Sequence, residues 1–152
     1  MKYIARYCCV FLLFALSSGF AAQTKQLAVV VDKSNTASGM TLAELTKIFK
    51  LENRKWSDGK NVVLIMREPS ALETQVAMQK IYKTQADEFK SFLAAHKSSV
   101  VIVGSEQDLL KAVAMTPGAI GLVDVYSITS GVNVLKVDGK LPLEQGYFLR
   151  GN

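Results

Sequence analysis

Four short stretches of this chain are apolar at consecutive rather than alternating positions: Leu27 to Val31, Val62 to Met66, Val100 to Val103, and Ala119 to Val123. A strand with one wet face alternates apolar and polar residues, whereas a strand covered on both faces does not. Between these runs the apolar residues recur at helical spacing. Leu42, Leu45, Ile48 and Phe49 predict a helix from Leu42 to Lys50, Phe89, Phe92, Leu93 and His96 another from Gln85 to His96, and Leu109, Leu110 and Val113 a third. Val132 to Val137 reads as a last strand, and the tail beyond Asp138-Gly139 carries only weak signals. Doubly covered strands separated by helices imply an α/β domain of three layers, a mostly parallel sheet flanked by helices. Such sheets take ligands where strands end and helices begin.

One of those edges stands out. The run Val62 to Met66 turns at Arg67-Glu68-Pro69-Ser70 into a helical segment, in which Thr74, Ala77, Met78, Ile81 and Tyr82 share one side and Leu72 and Val76 lie off it. A strand feeding a helix start leaves unpaired backbone N–H groups beside one guanidinium, a place to hold an anion. Ser70 followed by Glu73 also reads as a capping box, so the same residues serve equally well to start a helix.

The 152 residues suffice for one domain with a core. The first 22 have the form of an export leader. Lys2 and Arg6 are basic, Cys8 to Leu16 is apolar, and a small-residue end favours cleavage after Ala21, leaving residues 22–152 as one domain. The apolar run is shorter than the roughly 20 residues of a membrane span, so the processed protein is expected to be periplasmic or secreted and not membrane-embedded. Both cysteines leave with the leader, and with them any disulfide or thiolate site. Loss of Lys2 and Arg6 takes Lys plus Arg from 18 to 16 against 13 Asp plus Glu, a net charge of +3. That suits an anionic small ligand or plain solubility. No basic cluster is interleaved with aromatics, so nucleic acid is not expected as a partner.

Thr41 with Glu44, and Ser105 with Asp108, read as two further capping boxes. Lys47, Lys50, Arg54 and Lys55 read as a solvated face with cations beside a helix C-terminus, Trp56 as a packing anchor, and His96 as a structural histidine near the last carbonyls of its helix. Gly121 either admits another backbone or marks a bulge. Neither a metal-ligand cluster nor a cofactor motif is present in the sequence.

Three segments resemble the phosphate-binding solute receptors of ABC transporters, members of the periplasmic binding protein type 2 superfamily. They are Leu42 to Phe49 with Trp56-Ser57-Asp58-Gly59 following, the turn Arg67-Glu68-Pro69-Ser70, and Thr116-Pro117-Gly118-Ala119-Ile120-Gly121-Leu122-Val123. The resemblance covers Leu27 to Val137 and implies one lobe of a two-lobed receptor, the lobe bearing the serine turn. It further implies oxyanion binding, phosphate first, by Arg67 as charge partner, Ser70 as hydroxyl donor, and the amides of Ala71 and Leu72. In the family that turn reads Arg, a spacer, then Ser-Gly-Thr. Here the spacer is shorter, Ala71 and Leu72 replace the glycine and threonine, and Glu73 adds a carboxylate that would compete with or repel an anion. The opposite wall would come from another chain, such as a second copy in a homodimer, or be lacking. The alternative is a single-lobe adaptor for a transporter or envelope protein. An enzyme is not expected, since Glu68-Pro69-Ser70-Ala71-Leu72 lacks the glycines of a nucleophile elbow.

Overall fold

The computed structural model describes residues 24–151, so the expected leader, residues 1–21, lies outside the described residues. Six strands form one sheet: β1 (Leu27–Asp32), β2 (Gly39–Met40), β3 (Val63–Arg67), β4 (Val100–Val103), β5 (Ala119–Asp124) and β6 (Val132–Val137), in the order β2-β6-β1-β5-β3-β4. β3 is parallel to β4 and β5, and β2 to β6, while β1 is antiparallel to both β5 and β6. The sheet is therefore mixed, with β1 alone running against the rest.

Among the described residues four α-helices cover it. α1 (Leu42–Phe49), α2 (Leu72–Ala77) with the π-helical turn Met78–Tyr82, and α3 (Ala86–Ala95) pack on one face; α4 (Glu106–Met115) packs on the other. β1 shows why its sequence does not alternate. Leu27, Val29 and Val31 enter the first core and Ala28 and Val30 the second, all at 0% exposure. Each large apolar side chain so buried contributes about 1.5–3 kcal/mol relative to exposure.

The helix starts repay close reading. Thr41 and Glu44 form a complete capping box on α1, Thr41 Oγ1 accepting from the Glu44 amide at 3.2 Å and Glu44 Oε2 accepting from the Thr41 amide at 2.8 Å. At α4 only the hydroxyl half forms, Ser105 Oγ accepting from the Asp108 amide at 3.1 Å. The Ser70/Glu73 box does not form at all: the N-cap is Ala71, without a side-chain cap, because the Glu73 carboxylate is drawn to a lysine elsewhere. The two apolar patches of the α2 segment both find neighbours, since Thr74, Ala77, Ile81 and Tyr82 are buried and so is Val76.

At one end of the sheet, Trp56, Gly118 and Asp32 meet. Trp56 Nε1 donates to the Gly118 carbonyl at 2.9 Å, and the Gly118 amide donates to Asp32 Oδ2 at 2.9 Å. Gly118 has φ +84°, and a Cβ there would lie 2.1 Å from the Asn61 carbonyl oxygen, so no other residue fits. Gly121 admits another backbone rather than making a bulge. It keeps regular register with Val30 and Ile65, and a Cβ would meet the Ile65 carbonyl oxygen at 2.9 Å.

The tail is more ordered in its packing than its sequence suggests. Tyr147 and Leu149 are buried, the Leu27 amide donates to the Leu149 carbonyl at 3.0 Å, and the Gly151 amide to the Lys25 carbonyl at 2.7 Å. The tail thus pairs with the approach to β1 that β6, starting its register at Val29, does not reach.

Candidate functional site

Arg67 ends β3 at the edge of the sheet where Asp124 ends β5 and Val103 ends β4. Because β1 runs the other way, its first residue Leu27 pairs with Asp124, which brings the preceding Lys25 and Gln26 to the same edge. The strand directions alone therefore gather residues far apart in sequence.

The guanidinium of Arg67 is mostly buried, its side chain 19% exposed, and Nη2 donates to Glu68 Oε1 at 3.0 Å. Its Nε is enclosed with no protein acceptor. The Glu68 carboxyl is held below the ordinary glutamate value, first by a bond from its own backbone amide and then by Arg67. Thr74 Oγ1 donates to the Arg67 carbonyl at 2.8 Å, which ties the start of α2 to the end of β3. Between them, Ser70 is exposed and Ala71 and Leu72 are half-buried. The Ala71 amide donates to the Glu68 carbonyl at 2.9 Å, and the first helical bond runs from Gln75 to the Ala71 carbonyl at 3.0 Å. The amides of Leu72, Glu73 and Thr74 are therefore the ones that helix geometry leaves without an intrahelical acceptor. Arg67, Ser70, Ala71 and Leu72 share this one turn; the cavity behind it, walled by Phe49, Ile65, Met66 and Leu122 as well as Arg67, Glu73 and Thr74, has a volume of about 10 Å³, space for at most one water.

Glu73 is 4% exposed and accepts from Lys25 Nζ at 2.9 Å, across 48 residues of chain. Lys25 also lies 3.8 Å from Asp124 Oδ2. Burial lowers the Lys25 pKa, but the bond from Glu73 and the charges of Glu73, Glu106 and Asp124 outweigh it, so the lysine is held above its ordinary value. Glu106, in the first turn of α4, accepts from the Asp124 amide at 2.5 Å and from Ser127 Oγ at 2.7 Å. A cleft of about 280 Å³ opens beside this group, lined by Thr24, Lys25, Gln26, Asp124 and Tyr126. Lys25, Glu106 and Asp124 carry no local motif; Asp124 and Glu106 reach this edge at the end of β5 and the start of α4, and Lys25 through the antiparallel placement of β1.

Trp56, His96 and Arg54 make contacts within the fold. Trp56 is buried against Gly118. His96 follows α3 with Nδ1 2.8 Å from the Phe92 carbonyl oxygen and stacks near the Phe92 ring. Arg54 Nε donates to the Leu51 carbonyl at 3.0 Å, just beyond α1, while Lys47 and Lys55 are exposed. Among the described residues no group of three or more His, Cys, Asp or Glu is placed to hold a metal ion, and no helix is long and apolar enough to cross a membrane.

The whole arrangement matches solved structures. An ABC-type phosphate transport receptor from Vibrio cholerae superposes with a TM-score of 0.71 at 17% identity, over 84% of this chain and 54% of that one. A putative phosphate ABC transporter substrate-binding protein from Clostridium perfringens, with bound phosphate, gives 0.71 at 18% identity, over 84% and 53%. PstS from Borrelia burgdorferi gives 0.71 at 19% identity, over 85% and 55%. The chain spans about half the length of each, as one lobe of a two-lobed receptor does. Comparison with curated protein sequences finds no match. A family model described as a PBP superfamily domain matches residues 21–145, and with that coverage the chain belongs to the PBP superfamily of solute-binding domains.

Proposed function

We propose that this protein is an exported, periplasmic solute-binding domain that takes phosphate or a similar oxyanion, working with an ABC transporter in uptake or sensing. It binds its ligand without transforming it and needs no cofactor. The observation that carries the reading is Arg67: a guanidinium fixed at the end of β3, mostly buried, with an Nε that no protein group accepts. The solved relatives of this fold include phosphate transport receptors. Arg67 supplies the charge, the exposed hydroxyl of Ser70 a donor, and the Leu72 amide part of the cradle; the Ala71 amide joins it on release from the Glu68 carbonyl.

Calorimetry of the processed chain with inorganic phosphate at low ionic strength tests this. The expected result is weak binding that fades with added salt and is lost in Arg67→Ala, since each charge-assisted hydrogen bond removed costs about 1.5–3 kcal/mol. Absence of heat with phosphate, sulfate and other oxyanions overturns the proposal.

A further inference from the structure

We infer that the Lys25–Glu73 ion pair is a built-in competitor for the oxyanion, and that Glu73 sets how tightly the Arg67 turn binds its ligand. The inference rests on the oxyanion reading and deepens it.

Glu73 stands in the first turn of α2, where a carboxylate would ordinarily cap the helix, yet it is turned inward, 4% exposed, and bonded to Lys25 at 2.9 Å. Glu73 and Arg67 are both walls of the cavity behind the turn, whose volume of about 10 Å³ admits one water and no tetrahedral oxyanion. A negative group of the protein thus lines the same cavity as the arginine that the ligand needs. The charges around it strengthen the effect. Arg67 pairs with Glu68 at 3.0 Å, while Lys25 bonds Glu73 at 2.9 Å and lies 3.8 Å from Asp124, whose backbone amide donates to Glu106 at 2.5 Å, so these two cations share the edge with four carboxylates. An arriving anion meets an excess of negative charge, and like-charge juxtaposition at a desolvated contact is strongly unfavourable.

Lys25 is held for this task from outside the turn. The tail fixes its backbone through the Gly151 amide, and its Nζ, with the side chain 36% exposed, borders the cleft of about 280 Å³. Freed from Glu73, it becomes a second cation for the ligand. Removal of the Glu73 charge therefore acts twice, by ending repulsion and by releasing Lys25.

The test is calorimetric titration of the processed chain with inorganic phosphate in a two-residue cycle, with melting temperature recorded for each variant. Glu73→Gln is expected to tighten phosphate binding roughly tenfold or more. Lys25→Met, which leaves Glu73 charged and unpaired, is expected to weaken it by a similar factor, and the double variant to lose most of the gain. A pair that only stabilises the fold shifts the melting temperature and leaves affinity alone. Phosphate affinity of Glu73→Gln within about twofold of the parent, with Arg67→Ala still abolishing binding, overturns this inference and leaves the oxyanion reading standing. If Glu73→Gln fails to fold, Lys25→Met decides: unchanged affinity overturns the inference. Binding by neither the parent nor any variant overturns both.

Discussion

The two ends of the sheet are built on opposite terms. At one end, Gly118 is clamped from both sides, its amide by Asp32 and its carbonyl by Trp56 and the Val63 amide, while Asp32 also accepts from Ser34, so every polar group there is satisfied within the protein. At the other, Arg67 pairs with Glu68 and Lys25 reaches both Glu73 and Asp124, and the Arg67 Nε has no protein partner. Closed, fully satisfied bonding makes a structural knot; polar groups with open choices make a place where a ligand competes. Gly118 of the Thr116 to Val123 segment, one of the three that carry the family resemblance, belongs to the knot. Its presence speaks for the fold and says little about the ligand.

Substitutions at the two ends should therefore differ in kind. The largest effect is expected for Gly118→Ala. The methyl would sit 2.1 Å from the Asn61 carbonyl at φ +84°, so a loss of about 3 kcal/mol or more in chemical denaturation, or failure to fold, is expected. Asp32→Ala strands the buried Gly118 amide and should cost about 2–3 kcal/mol by the same measurement. Trp56→Phe keeps the ring packing and removes one hydrogen bond, for about 1 kcal/mol. A stable Asp32→Ala protein would break the contrast between the two ends.

At the Arg67 end, on the oxyanion proposal, Ser70→Ala should leave stability within about 0.5 kcal/mol while weakening phosphate binding in calorimetry; a marked loss of stability would recast Ser70 as structural. The smallest expected effect is on pH. Lys25 has a folded pKa above its ordinary value of 10.5, so the folded state binds the proton more tightly than the unfolded chain does. The stabilisation is fully present below the ordinary lysine pKa and is lost as pH rises through the folded value. Between neutral pH and the alkaline limit, the urea midpoint of the parent should thus fall more than that of Lys25→Gln. Parallel curves would show that the pair contributes no proton-linked stability.

Much of the fold is legible in the chain because its signals are local. Consecutive apolar residues in β1, β3 and β5 report cover on both faces, and Thr41 with Glu44 marks the start of α1 in four residues. What escapes is whatever depends on residues distant in sequence. The two-residue β2 is too short to show a period, and the tail's Leu149 becomes a core residue only because β6 leaves the start of β1 uncovered. Ser70 and Glu73 have the spacing of a capping box, yet a lysine 48 residues away from Glu73 takes its carboxylate instead. Arg67 is identifiable from its place at a strand end. Lys25 is not, since nothing about a lysine before a strand says that the strand will run antiparallel and deliver it to the edge where Arg67 stands.

That one contrary strand also governs the order in which the molecule can assemble. β1 is the first strand made, yet both of its neighbours, β5 and β6, come from the last part of the chain, and the pairing that completes its start waits for Gly151. Until Ala119–Asp124 has been synthesised, the middle of the sheet has no partner on either side, and loop closure over most of the chain must precede its pairing. The topology thus makes closure of the sheet around β1 wait for the last strands of the chain.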